Sequence, residues 1–268
     1  MITAKMVQDL REKTGAGMMD CKKALVAADG DMTLAIENLR KSGAAKAEKK
    51  SGRATNQGKV LTKIADGKAA IVEVLCETDF AAKTDKFAAL VDHILDAALA
   101  ADGEGDVTAA VNESEKEYLT SHIATIGENM QIRRAAKWIG TGATAFAGYH
   151  HDNGRVSVLV EAEGADAALL KDVCLHIAAF NPTYICSCEV PAQVIAKEKE
   201  IAMAADPSLA KKPENIIGKI LDGKIAKFFS DVCLMNQPWV KDDKSSLAKL
   251  YPNLKVRRFV RWAVGEEQ

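Results

Sequence analysis

One pattern occurs twice in this chain, and it limits the fold more than any other feature. Lys59 to Ile64 alternates like a half-buried strand, Asp66-Gly67 is a strong hairpin turn, and Ala70 to Leu75 returns. A short loop, Glu77-Thr78-Asp79-Phe80, then enters a helix with Phe87, Leu90, Val91, Ile94 and Leu95 on one face. The same order recurs at Thr144 to Tyr149, the turn Asp152-Asn153-Gly154, and Val156 to Val160. There Glu163-Gly164-Ala165-Asp166 leads into a helix with Leu169, Leu170, Val173 and Ile177. The turn glycines Gly67 and Gly154 recur at the same spacing as the loop aspartates Asp79 and Asp166. A lone hairpin is marginal in water, so each copy needs a helix or more strands over its face. The expectation is an α+β fold with a duplicated hairpin-plus-helix core, its halves at 58–140 and 141–268.

The flanking segments are helical in period. Residues 1–41 read as three short helices: Thr3 caps the first, Gly15-Ala16-Gly17 ends it, and Asp29-Gly30-Asp31 separates the second from the third. So small a core suits a docking module. Residues 42–57 carry charge but little apolar periodicity and read as a linker, partly helical. Val111 to Trp138 reads as helical. Pro191 to Asp206 and Glu214 to Val232 are two apolar-striped helices, with Pro207 and Pro213 between them, which suit an antiparallel helical hairpin inserted at about 191–232. Phe259 to Trp262 is a last strand candidate.

Composition narrows function. Lys+Arg 36 against Asp+Glu 37 leaves a net charge of -1, which argues against direct grip on nucleic acid over a broad surface. No run approaches the roughly 20 apolar residues of a membrane span. The N-terminus lacks an apolar signal core, and Cys21, Cys76, Cys174, Cys186, Cys188 and Cys233 are scattered, as reduced thiols of a cytoplasmic chain would be. Cys186 and Cys188 stand close together, but no second pair completes a zinc site. No phosphate-binding glycine loop, nucleophile elbow or metal-binding helix motif is present, so neither a cofactor nor covalent catalysis is expected.

What remains is recognition of another protein. Thr78 and Asp79 have an ordinary reading as helix caps. Phe80 either tucks under its helix or projects as an anchor for a partner. Met18 and Met19 are adjacent and cannot share one helix face, so at least one points outward as an adaptable contact. Of the histidines, His93 and His176 fall on expected helices, and His150-His151 forms either a polar turn or a surface contact.

At these residues a family becomes recognisable. Leu10 to Leu25, running LREKTGAGMMDCKKAL, closely resembles the N-terminal signature of the bacterial elongation factor Ts family. Glu73 to Lys83 resembles its second signature, and Ile126 to Arg134 a third stretch, in the family's order over nearly the whole chain. The resemblance implies a guanine nucleotide exchange factor for elongation factor Tu. It implies a ubiquitin-associated-like N-terminal module, the duplicated core, and a protruding antiparallel coiled coil as a contact arm. It also implies that Thr78, Asp79, Phe80 and Ala81 insert beside the partner's magnesium site, with Phe80 as wedge and Asp79 disturbing the metal's ligands. Arg11, Met18 and Met19 would dock on the GTPase domain, and His151 would press near the phosphate-binding loop. Leu75 stands where the family usually has Asn, and Ala81 where it usually has Val.

Overall fold

The computed structural model describes residues 2–267. The first three helices are α1 (Ala4–Thr14), α2 (Met18–Ala27) and α3 (Met32–Glu48). The Thr3 side chain accepts from the Met6 N–H, and Gly15 closes α1 at φ 64, a left-handed conformation that glycine adopts without a Cβ penalty. Asp31 caps α3 by accepting from the N–H groups of Thr33 and Leu34. Leu10, Cys21, Leu25 and Ala35 are fully buried at their centre.

The segment read as a linker begins as helix, because α3 continues through Glu48. Ser42-Gly43 suggests a break in sequence. Instead Gly43 is buried, and a Cβ there would lie 3.3 Å from Ala124. Its missing side chain admits close helix packing.

Next come β1 (Gln57–Ala65), β2 (Lys68–Cys76), α4 (Asp79–Ala82), α5 (Asp85–Ala100), β3 (Gly105–Asp106), α6 (Thr108–Ser114), α7 (Lys116–Ile126) and β4 (Met130–Ile139). The strands form one sheet in the order β1-β2-β4-β3. Asp66 and Gly67 both have positive φ, as a tight turn between paired antiparallel strands requires. Val72, Val74, Ile132, Phe87, Leu90, Val91 and Ile94 are buried together between sheet and α5. At Gly58 any Cβ would collide with the Val74 carbonyl of the neighbouring strand.

Strand β4 corrects the sequence reading, which made Val111 to Trp138 helical throughout. Gly127, at φ 91, ends α7, and Met130–Ile139 pairs along β2. Arg133, Arg134 and Lys137 disguise its alternation, since cations are not expected inside. Each has a partner: the fully buried Glu73 accepts from Arg134 Nε at 2.5 Å and from Arg133 Nη1 at 3.1 Å, and Lys137 donates to the Ala101 carbonyl. Arg134 also lies over the Trp262 ring, 4.3 Å from its centroid. Paired and hydrogen-bonded charge is the form in which burial is tolerated.

The remaining elements are β5 (Ala145–His151), β6 (Val156–Glu163), α8 (Ala167–Phe180), α9 (Ala192–Ala205), α10 (Glu214–Val232), β7 (Pro238–Trp239), β8 (Asp242–Ser246), α11 (Leu247–Leu250) and β9 (Lys255–Ala263). A second sheet has the order β5-β6-β9, and Val158, Val160, Leu170, Val173 and Ile177 are buried together between it and α8. It too carries a buried carboxylate: Glu161 accepts from Arg258 Nε at 2.6 Å and from the Thr144 hydroxyl at 2.6 Å. Helices α9 and α10 pack on each other, joined through a 3₁₀ segment. The chain divides into two compact units. One contains 2–139, 150–157 and 262–267, and the other 140–149 and 158–261. The tip of the second hairpin thus belongs with the first unit.

Cys186 and Cys188 are joined by a disulfide, which overturns their reading as reduced thiols. Cys21, Cys76, Cys174 and Cys233 are free and buried. Among the described residues, no helix is long and apolar enough to cross a membrane.

Candidate functional site

The loop between β2 and α5 is fixed from beneath and open above. Glu128, just after α7, accepts from the backbone N–H of Glu77 at 3.1 Å and of Thr78 at 3.0 Å, and from the Thr78 hydroxyl at 2.6 Å. The Thr78 oxygen in turn accepts from the Ala81 N–H, capping α4. Glu77 reaches the other way and accepts from the Asn129 N–H at 2.6 Å. Two reciprocal carboxylate anchors therefore hold the loop to the segment before β4. The buried Cys76 thiol donates to the Thr78 carbonyl at 3.2 Å. Burial, and after it the nearby Glu128 charge, push its pKa up to about 12, so it stays protonated.

On this support Phe80 stands 79% exposed, the most exposed large apolar side chain among the described residues. A ring held in water on a braced backbone gains about 1.5–3 kcal/mol when a partner covers it. Ala81 points the other way and is buried in the core beneath α4. Asp79 accepts from Lys83 Nζ at 2.7 Å, and that hydrogen bond holds its carboxyl below the ordinary carboxylate pKa. The pair is solvent-exposed and separated by one helical turn, so little is lost when it parts.

An open depression beside this loop is lined by Gln57, Glu77, Thr78, Asp79, Phe80 and Arg155. Arg155 comes from the second hairpin's tip and donates to Gln57 at 3.0 Å. That tip is fastened to β1. Ser157 donates to the Val60 carbonyl, and His150 Nε2 accepts from the Thr62 N–H at 2.9 Å. The acceptor role leaves Nε2 unprotonated, and burial lowers the pKa of His150. Of the histidine pair, His150 is thus a fastener, and both it and His151 are surface residues of the tip.

A second open depression is lined by Gln8, Arg11, Glu12, Gly15, Met18 and Lys86. Met18 is 46% and Met19 63% exposed where α2 begins, and Arg11 is exposed in the last turn of α1. Lys86 lies in the first turn of α5, a few residues beyond Phe80. The structure thus sorts the sequence candidates into two groups on one unit. Thr78, Asp79 and Phe80 form the first; Arg11 and Met18 form the second, with Met19 next to them in sequence. Glu128 and Arg155 were not singled out from sequence. The only signal for Glu128 was its place in the third family-like stretch.

The braced loop holds a bare aromatic side chain at the surface, a form suited to contact with another protein. Residues 77–266 match the family model described as Elongation factor TS. The chain is 44% identical to elongation factor Ts of Thioalkalivibrio sulfidiphilus, over 99% of this chain and 92% of that one. It is 45% identical to the Methylococcus capsulatus protein of the same name, with the same coverage. Against that of Alcanivorax borkumensis it is 46% identical over 97% and 93%. The chain belongs to the elongation factor Ts family of translation factors.

Proposed function

We propose that the chain is a guanine nucleotide exchange factor that binds elongation factor Tu and promotes GDP release by disturbing its magnesium and phosphate-binding site. The observation that carries this reading is Phe80, bare on a loop braced by Glu128. Such an anchor enters a partner without first paying to order its backbone. Asp79 parts readily from Lys83 and brings a carboxylate toward the metal's ligands. His151, on the tip fastened to β1, presses near the phosphate-binding loop. Arg11, Met18 and Met19 dock the three-helix module, which acts as a ubiquitin-associated-like unit over residues 1–41. Helices α9 and α10 form the antiparallel coiled-coil arm, inserted at about 191–232 in a core half running over 141–268. The segment 42–57 joins the module to the core half at 58–140. The chain works in the cytoplasm, without covalent chemistry, a cofactor, nucleic-acid contact or a membrane.

The mechanism is linkage. A nanomolar nucleotide is held by about 12 kcal/mol, and whatever weakens it in the complex must be matched by an equal weakening of the factor by nucleotide. Each tenfold in release rate takes about 1.4 kcal/mol off the barrier. The affinity of this chain for nucleotide-free and for GDP-saturated elongation factor Tu tests the reading. A large preference for the nucleotide-free form supports exchange. Equal affinity for both would make the chain an adaptor that holds its partner without acting on the nucleotide.

A further inference from the structure

The Cys186–Cys188 bridge has no part in the exchange reading. It closes a loop across one residue, Ser187. A loop that short restrains the unfolded chain least, so stabilising the fold is a weak reason for the bond. The sulfurs differ in access. Cys188 is exposed and Cys186 half-buried, whereas the four other cysteines are buried. The bridge also sits at the root of the α9–α10 pair. Upstream, Thr183 and Tyr184 donate their N–H groups to the Val232 carbonyl at the end of α10, at 2.9 and 3.1 Å. Downstream, the Ser187–Glu189 turn passes through buried Val190 into α9. An exposed disulfide in a minimal loop is of the labile kind.

We propose that Cys186 and Cys188 form a reversible thiol–disulfide exchange site whose substrates are low-molecular-weight thiols of the glutathione class. A thiolate attacks the exposed Cys188 sulfur, a mixed disulfide forms there, and the Cys186–Cys188 bond breaks. Cys186 leaves as a thiolate and takes up a proton. A second thiolate attacks the mixed disulfide on the small-molecule sulfur, releasing the oxidised small disulfide and the Cys188 thiol. Two small thiols are oxidised and one protein disulfide is reduced; the reverse sequence closes the bridge.

The test needs no partner protein, so its outcome is independent of the exchange reading. The full native chain is equilibrated in buffers of graded reduced-to-oxidised glutathione ratio, quenched, alkylated with N-ethylmaleimide and weighed intact. The expected result is the joint gain of two tags, mapped to Cys186 and Cys188, in one transition within the range of ratios. Cys76 and Cys174, whose pKa values burial raises to about 12, remain unlabelled in the folded chain. Cys186→Ser, lacking the resolving thiol, is expected to accumulate one glutathione on Cys188. A bridge that opens only after unfolding, thiols free at every ratio, or no adduct on Cys186→Ser would each overturn the proposal.

Discussion

The two hairpin-plus-helix copies share more than their outline. In each, the strand leading to the helix carries a buried carboxylate, Glu73 or Glu161, paired with arginine. In each, a threonine or aspartate caps the helix after the loop: Thr78 for α4 and Asp166 for α8. They part at the loop itself. The second is closed, running from Gly164, where any Cβ would strike the Asn253 carbonyl, straight to the Asp166 cap. The first inserts α4, takes its brace from Glu128 and leaves Phe80 in water. The same architecture occurs twice, and what separates the copies is a few residues in one loop.

Mutations in the two loops test that contrast. The largest effect is expected from Phe80→Ala, which should lower the acceleration of GDP release by elongation factor Tu roughly 10–100-fold, the value of burying one aromatic ring. Its counterpart in the second loop, Asp166→Ala, should leave release rates unchanged and cost about 1 kcal/mol in urea unfolding through the lost cap. Equal effects of the two on exchange would erase the contrast. Glu128→Ala removes the brace. We expect about 1–3 kcal/mol of lost stability, together with faster amide exchange at Thr78 and weaker acceleration of GDP release although Phe80 is intact. Unchanged exchange activity there would mean the loop needs no support.

A smaller difference lies in the helices behind the loops. On α5, His93 sits at the surface against Glu115. On α8, His176 is buried, stacked on Phe180 and Trp239. The Val240 N–H donates to its Nδ1 at 3.3 Å, so its Nε2–H donates to Gln237 at 3.0 Å, and a second proton would meet a donor. Burial lowers its pKa from 6.5, with the Gln237 bond opposing. The unfolded chain therefore protonates first as pH falls. This stability is complete above about 6.5 and is lost below it, down to the folded pKa. His176→Gln should flatten the fall in urea midpoint between pH 7 and 5; an unchanged slope would refute this. The smallest expected effect is that of Met18→Ala with Met19→Ala, a few-fold weaker binding to elongation factor Tu with release at saturation unchanged.

Both turns were legible because their residues, Asp66-Gly67 and Asp152-Asn153-Gly154, are those that tolerate positive φ. Helix α10 spans the residues its stripe and its flanking Pro213 suggested. Strand β4 was hidden because its arginines are neutralised by Glu73, some sixty positions away in sequence, and local pattern cannot see such a pairing. The reach of α3 was hidden because Gly43 reads as a breaker until Ala124 is found against it. In the site, the exposure of Phe80 was one of two open alternatives in sequence. Glu128 was invisible as a brace, since a carboxylate that holds backbone N–H groups looks like any surface charge. The short Cys-Ser-Cys spacing was visible, but not the bond.

If the braced loop drives nucleotide release, its two exposed residues must matter to the rate more than to binding. Stopped-flow release of a fluorescent GDP analogue from elongation factor Tu separates the two, with wild type run beside Asp79→Ala, Phe80→Ala combined. Strong acceleration by wild type and its near-complete loss in the double variant are expected, with binding retained through the three-helix module. A double variant that accelerates release as well as wild type would contradict the role given to the loop.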